Sequence, residues 1–296
     1  MSRRVSLVRA ALHTTDRPSS TAQWTTLGRA LELNREDRIV TDPYAPIFLS
    51  ASTRALYRAL TATGPALRRA EQFEIAGLAT SALCRHRFID EHLLAALPEV
   101  SQIVILGAGY DARAYRFADE IGGRPVYEVD LPPISRRKAA IVARNRPRFG
   151  PVSVRRVEID FRTQSLTTRL ADSGFVAGAS TFVVWEGVSM YLTREAVEGT
   201  LTALASVCGK GSVLAMDFWQ RVEGAGGSLR LLAERAMRWI GEPITFTVDA
   251  TDVGQLFDPA GFRVEDLAEA DVLTARYATG GRSCDPGMYL VAANLT

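Results

Sequence analysis

Three carboxylates and three glycines stand where predicted β-strands end, and such residues hold nucleosides in α/β proteins. In chain order they are Gly107, Gly109, Asp130, Asp160, Glu186 and Gly187. Gly107 and Gly109 follow an apolar run, and glycines without a Cβ atom let the backbone come close to a ligand. Asp130 lies 21 residues after Gly109, a spacing typical of a carboxylate that binds a ribose diol. The pattern predicts a site for an adenosine-containing ligand.

The acidic character of this predicted site favours a cationic ligand over a dinucleotide. Asp160 offers an acceptor to an adenine amino group, and Glu186 adds negative charge. The spacing of Gly107, Gly109 and Ala112 also satisfies the permissive dinucleotide pattern, but Asp111 would oppose a pyrophosphate. We therefore favour S-adenosylmethionine over NAD. An NAD(P)-dependent oxidoreductase and a nucleoside-binding protein without turnover remain the alternatives.

The elements that must position these residues change in type near residue 100. Residues 21–97 are predicted to be helical, mainly over 21–37 and 66–97. Strands are then predicted over 102–106, 125–130, 153–159, 180–185, 211–217, 262–267 and 287–293. Helical stretches separate the first five strands, so we expect an α/β fold with a parallel sheet and right-handed crossovers. The segment 218–248 is expected to be an insertion above the sheet, and Tyr277–Pro286 a loose link between the last two strands.

Composition narrows the possible partners and compartment. The 296 residues carry 35 basic and 33 acidic side chains, and this net charge of +2 gives no reason to expect a nucleic acid or a membrane as partner. The cluster Arg136-Arg137-Lys138 is interpreted as a solvated helix face. Three cysteines and three histidines lack metal-ligand spacing, so we expect no metal and a reduced, cytoplasmic protein.

Several ordered motifs resemble the leucine carboxyl methyltransferase family. The resemblance is strongest to its bacterial branch of S-adenosylmethionine-dependent methyltransferases, which includes polyketide O-methyltransferases. The motifs are Arg29–Glu32, Asp42–Ala45, Arg85–Asp90, Ile105–Arg113, Val126–Pro132, Glu158–Phe161 and Glu186–Leu192. The resemblance implies a Rossmann-like class I methyltransferase sheet of about seven strands, the last one antiparallel. It also implies a helical N-terminal cap over 1–98 and a core over 99–296 that carries the cap insertion.

The resemblance also implies roles for individual residues. Cofactor-binding positions are Arg85 for the methionine carboxylate, Gly107 and Gly109 beside the methionine part, Asp130 for the ribose, Asp160 and Phe161 for adenine, and Glu186 near the methionine end. Tyr191 matches a position on the substrate side. The arginine-threonine-arginine motif of this branch is Arg85-His86-Arg87 here, which makes His86 a candidate base if it points into the site.

The implied reaction is O-methylation of a small-molecule carboxylate or hydroxyl in natural product biosynthesis. Its cofactor is S-adenosyl-L-methionine and its product is S-adenosyl-L-homocysteine. A protein C-terminal carboxyl group is the family's other type of substrate.

Overall fold

Seven β-strands form one sheet in the computed structural model, which describes residues 20–62, 77–161, 163–222 and 244–296. The strands are β1 (Gln102–Leu106), β2 (Val126–Asp130), β3 (Val154–Glu158), β4 (Thr181–Trp185), β5 (Val213–Trp219), β6 (Phe262–Ala268) and β7 (Met288–Leu295). Each predicted strand is confirmed to within two residues at either end.

The strand order is β3-β2-β1-β4-β5-β7-β6, with β1 to β5 parallel and β7 antiparallel to both of its neighbours. The order reverses between β1 and β4, and the crevice beyond the carboxyl ends of strands at such a reversal is where open α/β sheets bind ligands. The architecture is Rossmann-like, with an antiparallel last strand as predicted.

Helices cover both faces of the sheet, and this explains why the central strands are almost entirely apolar. The helices are α1 (Ser20–Glu32), α2 (Ala45–Phe48), α3 (Ala51–Ala62), α4 (Leu78–Ala96), α5 (Arg113–Arg116), α6 (Ala118–Ile121), α7 (Pro132–Arg144), α8 (Leu166–Asp172), α9 (Arg194–Val207), α10 (Val253–Phe257) and α11 (Ala270–Tyr277). Along β1, Ile103 and Ile105 join the apolar core under α4, whereas Val104 and Leu106 join the core under α8 and α9.

One helical prediction differs from the structure, and one helix was not predicted. The first helix ends at Glu32 rather than at residue 37, because the Glu32 carboxylate accepts the backbone N–H of Ile39 (2.6 Å) and the chain folds back there. The link predicted over Tyr277–Pro286 follows an additional helix, α11, which lies between β6 and that link and was not predicted. The N–H of Cys284 donates to the Thr274 hydroxyl, which holds the returning chain on that helix.

Some predictions fall outside the described residues. The Gly-rich and apolar parts of the expected insertion lie within 223–243, and the first third of the helix predicted over 66–97 lies within 63–76. The described part of that helix begins after Gly77, whose φ of 79° is a left-handed conformation. The division at residue 98 stays a prediction. Among the described residues, we find no helix with the length and apolar character needed to cross a bilayer.

Candidate functional site

The predicted carboxylates meet at one edge of the sheet. Leu106 of β1 pairs with Val129 of β2 and with Trp185 of β4, so the residues that follow these strands leave the sheet side by side. Gly107, Asp130 and Glu186 therefore lie at the carboxyl ends of neighbouring strands, which we call the switch-point edge. Asp217, near the end of β5, joins them, although it was not among the predicted site residues.

The glycine loop after β1 is tied to Asp130. The Gly109 N–H donates to Oδ2 of Asp130 (2.6 Å), and the Leu131 N–H donates to Oδ1 (2.7 Å). Gly107 has a φ of 63°, and the side chain of Val188 occupies the place that a Cβ atom on Gly107 would take. Burial raises the pKa of Asp130 despite these two N–H donors.

Lys138 of α7 contacts the same loop. Its Nζ lies 2.9 Å from Oε1 of Glu128 in β2 and 3.4 Å from the carbonyl oxygen of Ala108, and its side chain is buried. The predicted solvated helix face suits the exposed neighbour Arg136 but is wrong for Lys138, because α7 turns Lys138 toward β2.

Arg85 reaches the switch-point edge from α4. Its Nε donates to Oε1 of Glu186 (3.0 Å) and its Nη1 to Oδ2 of Asp217 (2.9 Å). Burial opposes the charge on Arg85, but these two carboxylates outweigh burial and raise its pKa. The other oxygen of Asp217 accepts the N–H of Gly187 (2.6 Å), so the arginine is fixed against the turn after β4.

Arg113 is almost completely enclosed at the site. Its Nε donates to Asp90 (2.7 Å), and its Nη1 donates to Oε2 of Glu186 (2.7 Å) and to Asp111. Burial alone would raise the pKa of Glu186, but Arg113, His86 and Arg85 hold that pKa well below its usual range. Arg113 was not among the predicted site residues.

These side chains form one connected group, which we call the arginine–carboxylate network. It contains Arg85, Arg113, Arg116, Asp90, Asp111, Glu186 and Asp217. With every member ionised, four carboxylates face three guanidinium groups, and the network carries one net negative charge. Asp111 is compensated by Arg113, so it is the network as a whole, rather than Asp111 alone, that opposes an anionic ligand.

His86 lies inside this network. Its Nε2 is 2.8 Å from Nη1 of Arg116, and its Nδ1 is 3.1 Å from Oε2 of Glu186 and 2.9 Å from Nη2 of Arg113. Burial, together with the charge on Arg113, lowers the pKa of His86. Both ring nitrogens thus face partners within the protein.

The remaining predicted residues lie beside the same edge. Ile159 donates its N–H to the carbonyl of Asp130, which places Asp160 and Phe161 next to that carboxylate. Phe161 is 42% exposed, an unusual position for a large apolar side chain and one suited to stacking. Tyr191 is half-buried in the 3₁₀ turn Ser189–Tyr191 that follows β4.

The N-terminal helices contact the site directly. Arg29 of α1 pairs with Asp42 (2.9 Å) and donates through Nη2 to the carbonyl of Tyr110 in the glycine loop (3.0 Å). Arg116 of α5 donates through Nε to the carbonyl of Thr41 (3.0 Å). The N-terminal block therefore holds both the loop and the arginine–carboxylate network.

Known proteins share this sequence pattern. The sequence model described as leucine carboxyl methyltransferase matches residues 22–205. A relative from Parafrankia sp., provisionally named an S-adenosyl-L-methionine-dependent methyltransferase, is 34% identical over 64% of this chain and 59% of its own length. A relative from Mycolicibacterium smegmatis with the same provisional name is 30% identical over 80% of this chain and 76% of its own. The chain thus spans about three fifths of the Parafrankia relative.

Solved structures share the fold. A protein from Thermobifida fusca, provisionally named a methyltransferase, matches with a TM-score of 0.59 at 14% identity, over 96% of this chain and 97% of its own. A likeness at that level of identity concerns the architecture alone, and it confirms the Rossmann-like fold.

Proposed function

Because the chain belongs to the leucine carboxyl methyltransferase family, we propose that it is an S-adenosyl-L-methionine-dependent O-methyltransferase. Its acceptor is a carboxylate or hydroxyl oxygen of a small molecule, of the kind found in polyketide-like natural products. The observation that carries the proposal is the meeting of the glycine loop, Asp130 and the Arg85–Glu186 pair at the switch-point edge.

The charge of the site supports this cofactor over a dinucleotide. S-adenosyl-L-methionine has a sulfonium, an ammonium and one carboxylate, so it carries one net positive charge. The arginine–carboxylate network carries one net negative charge, and the two attract in a water-poor site. A pyrophosphate would be repelled by the same network. Gly109 leaves open space beside the loop, since a Cβ atom there would meet only the carbonyl oxygen of Gly107 at 3.7 Å, whereas at Gly107 that place is filled by Val188.

Each predicted residue has a specific task in this proposal. Asp130 accepts hydrogen bonds from the ribose hydroxyls, while Asp160 and Phe161 hold the adenine through a carboxylate and a ring. Arg85, whose Nη2 lies beside Gly187, binds the methionine carboxylate, and Glu186 binds the ammonium group. The bound cofactor supplies an electrophilic methyl group.

The protein's own contribution to the rate is alignment. Holding the acceptor oxygen, the methyl carbon and the sulfur in line contributes up to about 7–11 kcal/mol in favourable cases. A carboxylate acceptor is already ionised at neutral pH and needs no base. Since both nitrogens of His86 are engaged within the protein, a carboxylate or an acidic phenol is the acceptor that suits this site best. Tyr191 is the candidate residue on the acceptor side.

Calorimetric titration tests the cofactor. We expect the wild-type protein to bind S-adenosylhomocysteine and not NADH or NADPH. Asp130→Ala should weaken S-adenosylhomocysteine binding more than tenfold, because both ribose hydroxyls lose their acceptor. Asp172→Ala, on the exposed surface of α8, is the matched control and should bind like the wild type. Binding of NADH without S-adenosylhomocysteine would identify an oxidoreductase instead.

A methyl-transfer assay tests the acceptor class. The protein is incubated with methyl-labelled cofactor and a panel of aromatic carboxylic acids and phenols. A methyl ester releases volatile labelled methanol in mild base, whereas a methyl ether retains its label. Tight cofactor binding with no labelled product from any acceptor would favour a nucleoside-binding protein without turnover.

A further inference from the structure

Of the two neutral tautomers of the His86 ring, the one with its proton on Nδ1 satisfies two neighbours, Arg116 and Glu186, whereas the other satisfies only Arg113. Arg116 can only donate, so Nε2 of His86 must accept its Nη1 hydrogen at 2.8 Å. The proton of a neutral ring then resides on Nδ1, where Oε2 of Glu186 accepts it at 3.1 Å. Nη2 of Arg113 lies 2.9 Å from the same Nδ1 and finds no acceptor there in this tautomer, but it donates to the His86 carbonyl at 3.0 Å.

A second proton on this ring would be held against two arginines. The charged groups around it are Arg113 and Arg116 of α5, Glu186 after β4, Asp90 of α4 itself and Asp111 of the glycine loop. Protonating Nε2 would place two donors face to face at 2.8 Å, in a side chain that is only 2% exposed. The nitrogen that a general base would use is therefore the one that Arg116 occupies.

From this geometry we infer that His86 is a positioning residue, which as the neutral Nδ1–H tautomer orients Glu186 toward the cofactor and takes no proton from the acceptor. The inference rests on the proposed function for the cofactor that Glu186 faces. In this arrangement His86 connects the N-terminal block to Glu186 through a series of hydrogen bonds. Thr41 in the N-terminal block accepts from Arg116, Arg116 donates to His86, and His86 donates to Glu186.

Nitrogen-resolved NMR tests the tautomer without any cofactor. The chain has three histidines, so the His86 signals are assigned by their loss in His86→Asn. We expect a protonated Nδ1, an unprotonated Nε2 and no titration between about pH 5.5 and 8, where an ordinary imidazole would titrate. A protonated Nε2, or titration within that range, overturns the inference whatever the enzyme's activity.

Two substitutions separate positioning from base catalysis. The amide N–H of His86→Asn stands in for Nδ1–H but cannot act as a base, whereas His86→Leu removes the donor and keeps much of the volume. We expect His86→Asn to bind S-adenosylhomocysteine within about threefold of wild type, and His86→Leu at least tenfold more weakly, because a hydrogen bond to a charged group is lost. The pH dependence of kcat should keep its shape in His86→Asn.

A different set of results would identify His86 as a general base. A kcat at least a hundredfold lower in His86→Asn, with unchanged S-adenosylhomocysteine affinity and a lost basic limb, would identify His86 as the base. Arg116→Met provides a second route if His86→Leu does not fold, and freeing Nε2 should let His86 titrate in the NMR experiment. If the wild-type protein binds no S-adenosylhomocysteine, the proposed function fails, while the tautomer measurement still decides the state of His86.

Discussion

Replacing Arg113 by methionine tests whether the arginine–carboxylate network holds the site together. Methionine keeps much of the side-chain length and removes the charge. Three carboxylates whose side chains are at most 11% exposed, those of Asp90, Asp111 and Glu186, then lose the cation that contacts all of them. Breaking a buried ion pair by removing one partner costs about 3–5 kcal/mol, because an uncompensated charge stays behind. This is a large part of the roughly 5–15 kcal/mol that stabilises an ordinary domain.

Urea unfolding measures this loss. With a slope near 3 kcal/mol per molar urea, the Arg113→Met midpoint should fall by about 1–2 M at pH 7. Arg87→Met is the control, because Arg87 is half exposed and its pair with Glu91 contributes at most about 1 kcal/mol. Equal urea midpoints for the two variants would show that Arg113 contributes no more to stability than the exposed Arg87.

The difference in unfolding free energy between wild type and Arg113→Met should depend on pH, because Arg113 contacts three titratable carboxylates. Burial favours their neutral forms, but Arg113 and its neighbours lower the pKa values of Asp90, Asp111 and Glu186 in the folded protein. A lowered folded-state pKa stabilises the protein above the unfolded pKa, near 4, and this stabilisation is lost as the pH falls through the folded value. The gap between wild type and Arg113→Met should therefore be widest at neutral pH and shrink below about pH 4. A gap that stays constant with pH would refute this electrostatic origin.

Three further substitutions probe the loop and the adenine position. Gly107→Ala should cost more than about 1 kcal/mol of stability and weaken S-adenosylhomocysteine binding, because Val188 occupies the new methyl's place and φ is positive; a neutral effect in unfolding and titration would contradict this. Lys138→Met should weaken S-adenosylhomocysteine binding several-fold, because the Ala108 carbonyl in the glycine loop loses its Lys138 contact. An unchanged affinity in calorimetric titration would show that Lys138 does not support the cofactor site. Phe161→Ala should leave the free energy of unfolding within about 0.5 kcal/mol of wild type and weaken S-adenosylhomocysteine binding about tenfold, so equal affinity would remove Phe161 from the adenine position.

The sheet and its acidic edge could be predicted because both follow from local signals. An apolar run of about five residues indicates a buried strand, and parallel strands place the residues after them at one edge. Asp130 and Glu186 were identified in this way, and the structure brings both to that edge. The family, identified from motifs alone, is confirmed by the match over residues 22–205.

The ion pairs at the site could not be predicted because they depend on contacts across the fold. Arg113 is one arginine among many in the sequence, and only the approach of α4 and the turn after β4 surrounds it with carboxylates. Asp217 lies within a strand, where nothing local marks it as the partner of Arg85. Lys138 sits in a run of basic residues, and only the rotation of α7 distinguishes it from Arg136.

The burial of Lys138 has a practical consequence for chemical labelling. The chain contains only one other lysine, Lys210, which is exposed in the turn before β5. That turn is at the amino end of the parallel strands, on the far side of the sheet from the glycine loop. Amine-directed dyes, biotin or sensor surfaces should therefore couple at Lys210 and the α-amino group. A protein immobilised through Lys210 keeps its ligand-binding side turned toward the solution.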